Sequence, residues 1–251
     1  MLKVKNFYAG TSLDKYTGLI NDQIVGNTNK TNTEDLFFKY PNVNLKNSDN
    51  NGINIFLYMS AIYPTLKLIN KEINRLYDIT RKYYASMFIN NNTIDAEMQT
   101  EIIHLKSNII NMIKRFLDDL ISIKYYCLKN EIKLIDLGYL IGDLSRKDKT
   151  AEKIKENQDA IRNLVNYEKF QYFFQAINDF HNSFKHSIFN YETYNKLPSD
   201  KHGIILVSYY QNNKGTVKLL KSHFKQIIQG FNDFLEVSWG LKKPTDVNHK
   251  Y

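Results

Sequence analysis

One cysteine, four prolines, one tryptophan and ten glycines in 251 residues set the first limits on this chain. The single thiol, Cys127, excludes an intramolecular disulfide and fits a reducing compartment. It falls on an apolar helical seam, where an inert buried thiol is expected rather than a nucleophile. No uninterrupted apolar run reaches the roughly 18 residues of a spanning helix, so no membrane partner is expected. The opening Met-Leu-Lys-Val-Lys-Asn-Phe carries neither the apolar core nor the small-residue cleavage site of a signal peptide, and the expected location is cytoplasmic. A phosphate loop, a dinucleotide fingerprint and a Gly-x-Ser-x-Gly elbow are also missing, so no cofactor is expected. Nor is a metal. His181 and His186 diverge by about 140° on a straight helix, and His104, His202 and His223 would have to converge from elsewhere without an acid-rich cluster to help them.

What is present is lysine, asparagine, isoleucine, tyrosine and phenylalanine. The formal charge of +8 and pI of about 9.2 permit a polyanionic partner. The same composition also follows from the codon bias of an AT-rich genome, so charge alone does not choose between the two. The length suits one large domain or one domain with an appendage. Residues 1–51 are dense in short polar side chains and read as an N-terminal arm or small irregular subdomain. A short alternating strand at 2–8 and an apolar patch at 35–41, ended by Pro41, are its only ordered signals. The arm either wraps on its own domain through Phe37, Phe38 and Tyr40 or swaps onto a dimer partner.

From residue 52 to 240 the pattern is that of a helical bundle, with a loose tail at 241–251. Ile62, Leu66, Ile69, Ile73, Leu76 and Tyr83 recur at helical steps. Pro64 either opens a new helix at its first turn or kinks a longer one. Asn90-Asn91-Asn92-Thr93 suits a turn and a cap. A second long helix is predicted over 95–129, with a seam of Ile109, Ile113, Phe116, Leu120, Ile123 and Cys127 widened by Ile110, Leu117 and Ile121. Lys114, Arg115, Asp118 and Asp119 read as its solvated face. The two helices form an antiparallel hairpin, half of a bundle. A short or broken helix follows within 132–144, then a charged loop, then a polar helix over 151–165. After a further helix, 203–211 and 216–220 form a β-hairpin around Asn212-Asn213-Lys214-Gly215. Ser222 is expected to cap a last helix whose buried face holds Phe224, Ile227, Ile228, Phe231, Phe234 and Leu235. The fold class is mainly α: an antiparallel bundle of about five helices with one β-hairpin before the last helix.

The remaining helix, from Tyr167 to about His186, carries the chemistry. With Ile177 at zero and about 100° per residue, Phe170, Phe173, Phe174, Phe180 and Phe184 fall within roughly 60° of it, and His181 at about 40°. Asn178, Lys185 and Asn182 flank that stripe on one side. His181-Asn182-Ser183-Phe184-Lys185-His186 resembles the helical signature of the HEPN superfamily, an arginine, a polar residue, three further residues and a histidine. His181 stands in the arginine's place, so the motif is a degenerate one.

The resemblance implies a bundle that cleaves RNA without metal or binds it, in a toxin or phage-defence setting in bacteria. It assigns His186 to the family's catalytic histidine, Asn182 to the polar residue and His181 to the arginine position. Lys185 supplies part of the missing charge, Asn178 lies beside it, and Arg115 of the long helix is the substitute cation. It also implies a homodimer, because in these ribonucleases the cleft forms where two signature helices meet. Histidine titrates near neutrality, so it can serve as base or acid. An arginine would hold a fixed charge and grip phosphate bidentately, which histidine does not. Two competing readings stand beside this. One is a non-catalytic interaction protein paired with another protein, such as a nucleotidyltransferase. The other takes His181 as a satisfied core histidine, with Asn182 and His186 bonded to backbone at a helix end.

Overall fold

The computed structural model describes residues 50–89, 96–129, 135–142, 151–186, 204–211 and 217–238. The expectations for the N-terminal arm, the turns at 90–93 and 212–215, the loop at 145–150, the segment at 191–201 and the tail lie outside the described residues. So do those for His202, and for the side chains of Cys127 and His186.

Six helices and one antiparallel hairpin make up the described residues. α1 (Asn50–Ile89) and α2 (Ala96–Lys129) are joined by six residues and pack against each other. The short connection makes the pair antiparallel. The periodic apolar residues are the ones that enter the core: Ile69, Ile73 and Leu76 of α1 and Ile109, Ile113 and Leu117 of α2 are fully buried. α1 runs unbroken through Pro64, which is exposed. A proline inside a helix removes one backbone hydrogen bond, and on the solvent side water can replace it.

α3 (Leu137–Ile141) is short and held at both ends. The Asp136 carboxylate accepts from the Tyr139 N–H at 2.7 Å, the usual work of an aspartate N-cap. Its last carbonyls are taken by α4 (Ala151–Leu164). Arg162 Nε donates to the Leu140 carbonyl at 2.8 Å, and Gln158 Nε2 to the Gly142 carbonyl at 2.8 Å. On its other side α3 is pinned to α2. Ser122 Oγ accepts from the Ile135 N–H at 2.9 Å, and Asp118 Oδ1 accepts from the Leu137 N–H at 2.9 Å.

That pin corrects one expectation. Lys114 and Asp118 are an ion pair with side chains only 12% and 24% exposed, not part of a freely solvated face. On the Asp118 side the reason is that α3 folds back onto the carboxylate through the Leu137 N–H. Arg115, one position on, is exposed as expected.

α4 turns into α5 (Tyr167–His186) at Asn166, whose φ of 52° is left-handed. Asparagine tolerates that conformation better than most residues. Asn166 ends one helix and starts the next: its carbonyl accepts from the N–H groups of Lys169 and Phe170 at 3.0 and 3.3 Å.

β1 (Ile205–Gln211) and β2 (Val217–His223) pair antiparallel, Ile205 opposite His223 and Gln211 opposite Val217. β2 passes directly into α6 (Phe224–Ser238). Ser222 is therefore the penultimate strand residue and not the cap. His223 takes the cap position, and Gln226 reaches back to its N–H at 3.4 Å. The Phe224 N–H is satisfied by the Ile204 carbonyl at 2.8 Å. Lys106 of α2, itself buried, donates to the Ile205 carbonyl at 2.9 Å and ties the hairpin to the long helices.

α5 is the common neighbour of the fold, packing on α2, α3, α4, α6 and both strands. Its stripe is aromatic because it meets an aromatic face. Phe170 and Phe174 lie edge-on to Phe234 with centroids 5.4 and 5.2 Å apart, and Phe231 of α6 does the same to Phe116 of α2 at 5.4 Å. Such edge-to-face pairs add about 0.5–1.5 kcal/mol each beyond the area they bury.

Candidate functional site

The polar residues singled out on α5 occupy the sector next to its aromatic stripe. Asn178, His181 and Asn182 are half-buried, and Lys185 is exposed. His181 sits at the margin of the buried stripe, where its ring reaches α2. His181 Nδ1 and Asn111 Oδ1 are 2.8 Å apart, joining two positions 70 apart in sequence. Nearby hydroxyl and amide groups are already engaged within α5. Ser183 Oγ donates to the Phe180 carbonyl at 2.9 Å, and Gln175 Nε2 to Asp179 Oδ1 at 2.7 Å.

Arg115 follows Asn111 by one turn on the same face of α2, since positions four apart on a helix are neighbours. It is exposed, and its charge acts on Asp119. Burial pushes the Asp119 carboxyl up, and the Arg115 guanidinium opposes that shift. Asp118 behaves alike: burial raises it, while the hydrogen bond and charge of Lys114 work against the rise. His186 is the last residue of α5.

The structure thus places Asn178, His181, Asn182 and Lys185 on one helix, and brings Asn111 of α2 onto His181. Asn111 was not singled out from the sequence. Its position opposite the α2 seam marked it only as one more exposed polar residue. Of the other histidines, His104 is exposed on α2 and His223 is half-buried at the head of α6. Among the described residues, no group of three or more His, Cys, Asp or Glu side chains is placed to hold a metal ion. No helix among them is long and apolar enough to cross a membrane.

Chemically, the cluster offers one imidazole, two amides on the same side of its helix and two cations one helical turn on, Lys185 from His181 and Arg115 from Asn111. The imidazole can take or give a proton near neutrality. The amides can donate to a phosphate or sugar oxygen, and Lys185 and Arg115 can offset its charge. Fold and cluster together define a mainly helical bundle carrying a histidine-centred polar face. No family model, curated protein or solved structure matches the chain.

Proposed function

We propose that this chain is a HEPN-like protein that binds or cleaves RNA without a metal, acting as a homodimer in a toxin or phage-defence setting. The observation that supports it is the polar face of α5. His181, Asn182, Asn178 and Lys185 share one side of the helix that packs on α2, α3, α4, α6 and both strands. Metal-free RNA cleavage needs a base for the 2′-hydroxyl, an acid for the leaving 5′-oxygen and positive charge at the phosphate. In this reading His186 and His181 carry the proton steps, Asn182 and Asn178 hold substrate oxygens, and Lys185 with Arg115 supplies the charge that the degenerate motif lacks.

The test is incubation of the purified protein with total RNA in EDTA beside His186→Ala. The expected result is cleavage by the wild type only, with the helical circular dichroism of the two unchanged. Absence of cleavage across a range of pH values would sink the enzymatic reading. RNA binding would then be sought by its steep loss with rising salt.

One observation favours a second reading. His181 is tied to Asn111 and partly covered, as a histidine that only secures helix packing would be. In that case the bundle is a non-catalytic partner of another protein, such as a nucleotidyltransferase. Association that withstands salt would support it.

A further inference from the structure

We infer that Asn111 is the positioning residue of His181, fixing which ring nitrogen carries the proton; its catalytic meaning rests on the ribonuclease reading above. The bond runs between Asn111 Oδ1 and His181 Nδ1 at 2.8 Å. A carbonyl oxygen only accepts, so Nδ1 must bring the hydrogen. The neutral ring is then the Nδ1–H tautomer, with its lone pair at Nε2. An imidazole left to itself favours the opposite tautomer. Asn111 therefore leaves the basic position at Nε2, the ring nitrogen that it does not contact.

The choice of an amide matters. A carboxylate in this place would hold the ring as an imidazolium, because opposite charge nearby favours the protonated form. The amide orients the ring and leaves it able to exchange a proton. Its footing is firm: Ile109, Ile110 and Ile113, which bracket Asn111 on α2, are fully buried. A group anchored on a packed helix holds its partner's geometry better than one on a loop. Charged groups on the two helices close to this pair are Lys114, Arg115, Asp118 and Asp119 on α2 and Asp179 and Lys185 on α5.

The experiment is nitrogen NMR of the histidine rings in the intact chain, with the His181 signals assigned by their loss in His181→Gln. At a pH where the ring is neutral, the wild type is expected as the Nδ1–H form. Asn111→Ala is expected to revert to the Nε2–H form, and Asn111→Asp, which keeps an acceptor in place, to show Nδ1–H once the pH is raised far enough to neutralise its ring. A wild-type ring found as Nε2–H, or one unchanged by Asn111→Ala, overturns the inference. In the RNA assay Asn111→Ala is expected to lower kcat by about tenfold with KM unchanged. If the wild type cuts no RNA, the ribonuclease reading falls, while the tautomer still decides what Asn111 does.

Discussion

At the scale of single residues, the charged face of α2 behaves unlike an ordinary solvated one. Asp118 gives one oxygen to Lys114 and the other to the Leu137 N–H, and burial raises its carboxyl above the ordinary 3.8. A carboxyl that binds its proton more tightly when folded makes the fold more stable as pH falls. The gain appears as pH drops through the raised folded value and is complete below the ordinary one, because the folded state holds the extra proton in that window. Asp118→Asn keeps the acceptor for Leu137 and removes the titration. The stability difference between wild type and Asp118→Asn in urea, measured from neutral pH down past 3.8, is therefore expected to move in favour of the wild type on acidification. A difference independent of pH would contradict this. The Lys114–Asp118 spacing was readable in the sequence as a helical pair. Its burial was not, because that depends on α3 returning over it from beyond Lys129. The same holds for His181 and Asn111, whose pairing requires two helices 70 positions apart to dock in one register.

At the scale of elements, the long periodic helices were legible and their junctions were not. Bounds of 95–129 and 167–186 could be read because apolar residues recur every three or four positions over many turns. The boundary at Ser222 was misread because serine is a common cap, whereas the strand supplies backbone partners through His223 and Gln226 closes the cap instead. The five-residue α3 could be sensed only as an apolar stretch with two glycines. What stabilises it comes from α4, chiefly Arg162, which also lies over the Tyr167 ring at 4.8 Å. Arg162→Met is expected to lower stability by about 1.5–3 kcal/mol, the usual worth of a hydrogen bond from a charged donor, less what its partial exposure returns. Amide exchange at Gly142, whose N–H closes the last turn of α3 on Gly138, should quicken with it. Unchanged exchange there would show that α3 does not depend on that guanidinium.

At the scale of the whole molecule, the polar face of α5 rests on an aromatic seam linking α2, α5 and α6, so the cluster's geometry is set by a packed core. The mainly helical class and the hairpin before the last helix were legible from periodicity and turn residues; the docking of the hairpin was not. That docking runs through Lys106 and the Ile205 carbonyl, 99 positions apart. In time rather than in space, this tie comes late. Helix pairs and the hairpin close short loops, whereas joining α2 to β1 requires a long one, whose closure entropy favours its forming after the local elements. Lys106→Met should therefore leave the folding rate nearly unchanged and speed unfolding, raising only the unfolding limb of the chevron. Equal effects on both limbs would place the tie in the folding nucleus. On this account the buried lysine is a latch on the lifetime of the native state, and the hairpin that it holds is the first part of the bundle to let go.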